Sequence, residues 1–148
     1  MSDQLNTQQL FEFFNEIGII SQLGGTRFSQ YLPGRLTSPQ FFVLNNFVRL
    51  GGTRSPKQLA DAFQVTKGAM TNTLSHLERA GYVEIKADPD DGRAKIVSIT
   101  AAGVTARNQA IQAVAPAFKD VGQILSEHDL QLVIPVLRSL RQYLDEHR

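Results

Sequence analysis

Two predicted helix starts that lie close together constrain the fold of this chain more than any other feature. Ser55-Pro56-Lys57-Gln58 combines a serine cap, a proline at the first helical position and a glutamine three residues after the cap, which is the pattern of a capping box. Only Gln64 and Val65 separate the end of that helix from Thr66, which is suited to cap the next one. The sequence therefore predicts two short helices joined by a tight turn.

The second of these helices, predicted from Thr66 to Ala80, has one apolar and one polar face. Met70, Leu74 and Leu77 recur at spacings of four and three, so we expect them to be buried. The residues on the outward face are mostly small and polar: Lys67, Gly68, Thr71, Asn72 and Ser75. Such a pair of helices is typical of a helix-turn-helix, whose second helix enters the major groove of DNA.

A β-hairpin is predicted directly after the second helix. The stretches 82–87 and 95–100 are rich in β-branched residues and alternate polar with apolar side chains. Asp91-Gly92 lies between them and suits a tight turn, and Arg93 and Lys95 follow it. A hairpin in this position is a wing. The fold class that we predict is therefore mainly α with a small β-hairpin wing, a winged helix-turn-helix.

Helical patterns precede the winged unit. Apolar residues recur at helical spacing from residue 4 to 31, but Gly24 and Gly25 interrupt the pattern. Two interior glycines predict a kink, a break or the close approach of another backbone at this point. Ser38-Pro39 is expected to cap and open a further helix that ends at Gly51.

Two more helices are predicted after the hairpin, the first ending near Pro116 and the second capped by Ser126 and bent at Pro135. Their apolar stripe, like the aromatic N-terminal one, would lie uncovered in a monomer, so we expect a second copy to cover both. We thus predict one domain over residues 1–148. Within it, 36–103 form the winged helix-turn-helix DNA-binding region, flanked by dimerisation helices in 1–35 and 104–148.

Composition excludes several kinds of chemistry. The chain has no cysteine, which excludes disulfides, thiolate zinc sites and iron–sulfur ligation. Its three histidines are widely separated and form no recognisable metal site. Phosphate loops, nucleophile elbows and paired-carboxylate motifs are absent, so we expect neither an enzyme nor a cofactor. The start of the chain resembles neither a signal peptide nor a membrane span, which predicts a cytoplasmic protein without a membrane partner.

Charge is nearly balanced. Fifteen Lys and Arg residues stand against fourteen Asp and Glu residues, for a formal net charge of +1. Residues 53–99 hold seven basic and six acidic side chains, so even the proposed DNA-binding segment is only weakly basic. We therefore expect weak non-specific DNA binding and affinity that depends on where Lys67, Arg93 and Lys95 are placed.

Six short motifs follow one another in a characteristic order and spacing. They are Leu36-Thr37-Ser38-Pro39-Gln40-Phe41, Gln58-Leu59-Ala60, Val65-Thr66-Lys67-Gly68-Ala69-Met70-Thr71, Leu77-Glu78-Arg79-Ala80-Gly81-Tyr82-Val83, Asp88-Pro89-Asp90-Asp91-Gly92-Arg93-Ala94 and Ile99-Thr100-Ala101-Ala102-Gly103. Together they resemble the MarR family of bacterial transcription regulators. The resemblance implies a homodimer that binds double-stranded DNA at a pseudo-palindromic operator, and a small, often aromatic and anionic ligand that releases it. We interpret the chain as a repressor of this kind.

The resemblance also implies roles in DNA binding. It places Arg93 in the minor groove, with Asp91 helping to hold it. Many members have arginine directly after the recognition-helix threonine, whereas this chain has Asn72, so their base preference does not transfer. Asparagine binds adenine bidentately, which makes Asn72 our candidate for direct base contact, with Thr71 and Ser75 beside it.

Alternatives that do not involve DNA remain open at each of these positions. The polar face of the second helix is also compatible with simple solvation, and Arg93 with an ion pair to Asp90 or Asp91. The whole unit is also compatible with a winged-helix module that binds protein instead of DNA. A strong salt dependence of DNA affinity would distinguish the regulator from that module.

The N-terminal aromatic residues also have two interpretations. Seven of the nine phenylalanines precede residue 50, and such residues are commonly buried in a core or a dimer interface. Alternatively, some of them, Phe41 included, line an effector pocket between the dimer helices and the winged region. Tyr31, Arg35 or Arg49 would then anchor the polar end of the ligand.

Overall fold

The computed structural model describes residues 6–34 and 36–148, and within them it contains six α-helices and one two-stranded hairpin. The elements are α1 (Thr7–Tyr31), α2 (Ser38–Leu50), α3 (Pro56–Phe63), α4 (Lys67–Arg79), β1 (Val83–Ala87), β2 (Lys95–Ile99), α5 (Ala101–Val114) and α6 (Glu127–Glu146). Two short 3-10 segments, Ala115–Phe118 and Val121–Gln123, connect α5 to α6. The mainly helical architecture with a hairpin wing is confirmed.

Capping boxes define the starts of α2 and α3. The Ser55 hydroxyl accepts the Gln58 backbone N–H at 3.1 Å, and the Gln58 side-chain oxygen accepts the Ser55 N–H at 2.8 Å, as predicted. At α2 the box is formed by Thr37 and Gln40, at 3.4 and 3.2 Å. Our assignment of Ser38 as this cap is therefore wrong by one residue. Thr37 is the extended residue that stands three positions before a glutamine, which is what the box requires.

A tight turn sets α4 against α3. Gln64 ends α3 in the left-handed region with a φ of 52°, and its side-chain amide donates to the Asp61 carbonyl at 2.6 Å. The Val65 N–H then donates to the Ala60 carbonyl at 3.0 Å. Thr66 caps α4 as predicted, because its hydroxyl accepts the Ala69 N–H at 3.1 Å. These bonds fix the direction in which α4 leaves the turn.

The core of the winged unit lies between α2, α3, α4 and the hairpin. The residues buried together in it are Val43, Leu44, Phe47, Leu59, Ala60, Met70, Leu74, Leu77, Val83 and Val97. Met70, Leu74 and Leu77 are among them, so the predicted buried face of α4 is confirmed. The opposite face of α4 is consequently directed away from the core.

The hairpin is tied to the rest of the winged unit at two points. Its strands pair antiparallel, with Val83 opposite Ile99. Arg54, between α2 and α3, exchanges two backbone hydrogen bonds with Val97, at 3.1 and 2.8 Å. At the other end, a Cβ added to Gly103 of α5 would lie 2.1 Å from the carbonyl oxygen of Tyr82, so α5 starts in direct backbone contact with the root of the wing.

The long helices α1 and α6 flank the winged unit, and neither contains a buried residue. α1 continues through Gly24 and Gly25, so the break predicted there is absent. The cost of about 1 kcal/mol per helical glycine is small enough for a long helix to absorb. α6 likewise continues past Pro135. None of the helices in the described part of the chain combines the length and apolar character that crossing a membrane requires.

One exposed ion pair anchors α1 to the connection between α5 and α6. The Arg27 guanidinium donates to the Asp120 carboxylate at 2.9 Å and to the Ala117 carbonyl at 3.2 Å. The hydrogen bond from Arg27 holds the pKa of Asp120 below its usual range. This contact joins the C-terminal part of α1 to the connection that leads into α6.

Candidate nucleic-acid interface

The outward face of α4 brings together the residues that the sequence singled out. Lys67, Gly68, Thr71 and Asn72 are exposed, and Ser75 is half-buried at the edge of the same face. The Thr71 hydroxyl donates to the Lys67 carbonyl at 2.8 Å. Since that bond uses its only proton, Thr71 offers an acceptor to an external partner. Asn72 offers both a donor and an acceptor.

The start of α4 is suited to approach by a large anion. A Cβ added to Gly68 would meet no atom within 4 Å, so the described chain itself does not require a glycine there. The backbone N–H groups of a first helical turn attract negative charge such as phosphate. Lys67 adds a full positive charge at the same end. A phosphate there would offset the unfavourable position of this lysine on the helix dipole.

The tip of the wing is shaped by two aspartates. The Asp91 carboxylate accepts the backbone N–H of Arg93 at 3.0 Å, and the Asp88 carboxylate accepts that of Asp90 at 2.9 Å. Asp91 thus holds the backbone of Arg93, which leaves the guanidinium available for other contacts. Within the described chain, no salt bridge joins Arg93 to Asp90 or Asp91.

Positive charge is unevenly distributed on the wing. Lys86 forms a salt bridge with Glu84 at 3.4 Å, which partly neutralises the first strand. Arg93 and Lys95 are exposed at the tip and on the start of the second strand. The wing therefore presents its cations beside the loop, where a nucleic-acid backbone or groove could reach them.

The residues predicted for a ligand pocket are not all brought together. Phe41 is buried, with its ring centroid 4.9 Å from that of Phe28. Tyr31 is exposed at the end of α1. Arg49 lines a cavity of about 880 Å³ between α1, α2, α3 and α6, to which Tyr31 and Phe41 do not contribute. Arg35 lies outside the described residues.

Sequence reasoning missed two residues that matter to this arrangement. Arg54 holds the wing by backbone pairing with Val97. A single residue outside any strand pattern does not predict such a pairing. Asn46 is buried on α2, and its side-chain oxygen has no hydrogen-bond partner among the described residues. Asn46 could have been found only as a polar residue close to the predicted apolar face of α2.

Comparisons with known proteins agree with this geometry. A sequence profile of the MarR family matches residues 36–94. The multiple antibiotic resistance protein MarR of Escherichia coli (strain K12) is 30% identical over 125 residues, which cover 79% of this chain and 84% of that protein. This chain belongs to the MarR family. It is therefore a MarR-family transcription regulator with a winged helix-turn-helix DNA-binding fold.

Two solved structures with a similar fold are of proteins in bound states. A mutant MarR from Escherichia coli, complexed with operator DNA, has a TM-score of 0.68 and 26% identity to this chain, covering 94% of this chain and 99% of that one. The PcaV regulator from Streptomyces coelicolor, in complex with its natural ligand, has a TM-score of 0.64 and 18% identity, covering 96% of each chain. PcaV is thus similar to this chain in fold.

Proposed function

We propose that this MarR-family regulator is a homodimeric repressor that binds a pseudo-palindromic operator, and that a small aromatic or anionic ligand releases it. One observation carries the DNA-binding part of the proposal. One winged unit exposes both the polar face of α4, which has small side chains, and the unpaired cations of the wing, Arg93 and Lys95. The operator-bound MarR structure supports the same mode of binding for this chain.

In this proposal each exposed residue has a distinct task. Asn72 contacts an adenine edge in the major groove, while Thr71 and Ser75 accept hydrogen bonds from neighbouring base edges. Gly68 lets the backbone of α4 approach the DNA, and Lys67 contacts a phosphate.

The wing acts on the adjacent minor groove. Arg93 enters it, where narrow A·T-rich tracts concentrate negative potential, and Lys95 contacts a flanking phosphate. Asp91 keeps the tip in shape through its bond to the Arg93 backbone.

Homodimerisation is supported by the surface of α1 and α6. Large apolar side chains such as Phe11, Ile20, Leu23, Leu132 and Val136 are more than half exposed in the single chain. Monomeric soluble proteins rarely expose so much contiguous apolar surface. A second copy that covers these helices would place two α4 helices about one turn of DNA apart, roughly 34 Å.

The position of the cavity supports release by a ligand. Its walls come from α2 and α3 of the winged unit and from α1 and α6, the proposed dimerisation helices. A ligand bound there favours one arrangement of these elements over others. Because the dimer sets the separation of the two α4 helices, such a shift weakens binding to both half-sites at once.

The proposal is tested by selecting an operator from random DNA and measuring affinity by fluorescence anisotropy at several salt concentrations. Arg93→Ala should weaken operator binding by about 1–3 kcal/mol, and Lys67→Ala should reduce the salt slope by about 1. Asn72→Ala should relax base preference at one position in each half-site. Arg138→Ala, on α6, is the matched control and should bind normally. This mode of binding would be excluded if operator affinity changed neither with the salt concentration nor with Arg93→Ala.

A further inference from the structure

We infer that His76 and Arg79, at the end of α4, bind a phosphate of the operator backbone, and that the contact from His76 requires a protonated imidazole. This inference rests on the proposed function, in which α4 enters the major groove. It adds two residues that bind the DNA backbone and a dependence of operator affinity on pH.

The row of side chains that faces outward from α4 continues to its last turn. Gly68, Asn72 and His76 are spaced by four residues, and Arg79 follows Ser75 by the same interval. Residues four apart are neighbours on a helix surface, so His76 and Arg79 extend the face that carries the proposed base contacts. At a rise of about 1.5 Å per residue, His76 lies about 6 Å beyond Asn72 and about 12 Å beyond Gly68 along the helix axis.

This length is comparable to the width of the major groove, which is about 12 Å in B-DNA. In a helix-turn-helix the first turns of the recognition helix contact the base edges. The last turn of α4 therefore comes to the edge of the groove, where the phosphates lie. His76 and Arg79 are both exposed, and neither forms a salt bridge within the described residues.

A cleft beside the end of α4 has room for a phosphate group. This α2–α4 cleft has a volume of about 670 Å³, and its walls come from the connection between α1 and α2 and from α2, α4 and α5. Gln40 and Gln109 line it together with His76 and Arg79. The side-chain oxygen of Gln40 accepts the Thr37 N–H at 3.2 Å, so its amide N–H groups are left to donate. The cleft thus offers neutral donors next to basic side chains.

The charged groups around the α2–α4 cleft favour an anion. Arg79 is the permanent cation among the described residues that line it, and none of those residues is a carboxylate. Tyr82, at the root of the wing, is the other titratable group in its walls besides His76. Glu78 is exposed on α4 but does not line the cleft, and Arg35 lies outside the described residues. A phosphate would therefore meet positive charge without a competing acidic side chain from the described walls.

Arg79 and His76 differ in when they are charged. The Arg79 Nε–H donates to the Ser75 carbonyl at 3.3 Å, which leaves the two terminal N–H₂ groups of the guanidinium to bind phosphate oxygens. A neutral imidazole has one N–H and no charge, whereas the protonated form has two donors and a positive charge. Histidine is the side chain that ordinarily gains this proton between about pH 5 and 8. Because a phosphate favours the protonated form, operator affinity should increase as the pH falls through this range.

A purely structural role for these two residues would give a different result. Cations in the last turn of a helix interact favourably with the helix dipole, and His76 and Arg79 are the basic residues of that turn in α4. In that role, loss of the charge would lower stability without changing the number of phosphates that the protein neutralises on DNA. The salt dependence of affinity distinguishes the two roles, because its slope counts those phosphates.

The test measures the affinity of the full-length protein for its selected operator by fluorescence anisotropy, at several salt concentrations and at about pH 6 and about pH 8. We expect roughly tenfold tighter binding at the lower pH and a salt slope that is steeper by about two, one phosphate for each subunit of the proposed dimer. His76→Gln should remove both differences, and His76→Arg should give the steeper slope at both pH values. Arg79→Gln should reduce the slope by about two at both pH values. His128→Gln, on α6, is the matched control and should retain the pH dependence of the unmodified protein.

The inference would be wrong if the pH dependence survived in His76→Gln, or if the salt slope of the unmodified protein were the same at both pH values. A lower affinity of His76→Gln with a lower melting temperature and an unchanged salt slope would assign His76 a structural role instead. If His76→Gln does not fold, His76→Arg and Arg79→Gln still test the contact. The proposed function fails separately, when no operator is selected or when affinity does not respond to Arg93→Ala. An operator that responds to Arg93→Ala but not to pH would overturn this inference alone.

Discussion

The winged unit and the two flanking helices use apolar residues in opposite ways. Leu44, Leu59 and Val97 in the winged unit are fully buried, whereas α1 and α6 hold no buried residue at all. Both regions show apolar residues at helical spacing, so spacing alone does not decide burial. What differs is the closeness of the neighbouring elements: α2, α3, α4 and the hairpin cover one another, while α1 and α6 make few close contacts with them.

The winged unit and the flanking helices therefore have different tasks within one chain. The winged unit has a core of its own, which keeps α4 and the wing in a fixed relation. The flanking helices present apolar surface that a single chain does not cover, and we propose that a second copy covers it. In the proposed dimer, contacts to DNA depend on the core of one subunit, and the spacing of the half-sites depends on contacts between two subunits.

The largest expected effect is at Leu44. Leu44→Ala removes a fully buried side chain and should lower the free energy of unfolding by about 2–5 kcal/mol. The matched substitution Leu132→Ala, at a residue 59% exposed on α6 of the single chain, should cost less than about 1 kcal/mol in a monomer and more only where a second copy covers it. Urea denaturation measures both. An equal loss at the two sites would mean that a second copy buries α6 as fully as the core is buried.

A smaller effect of the same kind is expected at Gly103. A Cβ there would lie 2.1 Å from the Tyr82 oxygen and 2.8 Å from Ile99, so Gly103→Ala should destabilise by about 1–3 kcal/mol. Gly25→Ala in α1, where nothing lies within 4 Å, should instead stabilise by up to about 1 kcal/mol. Thermal unfolding followed by circular dichroism compares them. Destabilisation by Gly25→Ala would indicate that another chain closely approaches α1.

Local chemistry explains why so much of the winged unit could be predicted. The Ser55 and Thr66 caps, and the spacing of Met70, Leu74 and Leu77, depend on residues within a few positions of one another. The same periodicity indicates which side of α4 faces outward. Such patterns are less reliable at glycines: Gly25 interrupts the pattern of α1 but not the helix itself.

The parts that could not be predicted depend on contacts between distant elements. Arg54 pairs with Val97 across more than forty positions. Phe41 does not line the cavity, because its ring packs on Phe28 near the end of α1. The unpaired oxygen of Asn46 is a property of the packed site, and an asparagine in a helix gives no warning of it.

The smallest expected effect is at the start of α6. The Asp129 carboxylate accepts the Ser126 N–H at 2.9 Å and its hydroxyl at 2.8 Å, and the backbone bond, followed by the hydroxyl, holds the pKa of Asp129 below its usual range. This contribution to the stability of α6 is fully present above the ordinary value of 3.8 and is lost as the pH falls through the lower folded value. Amide exchange at Asp129 and Leu130, whose N–H groups donate to the hydroxyl and the carbonyl of Ser126, should therefore accelerate in acid, after correction for intrinsic rates, while exchange at Leu44 does not. Asp129→Asn retains a side-chain acceptor that does not titrate, so the acid dependence should disappear in that variant. Equal acceleration at Leu44 would show that α6 and the winged unit unfold together, and that the contrast between them is one of burial but not of stability.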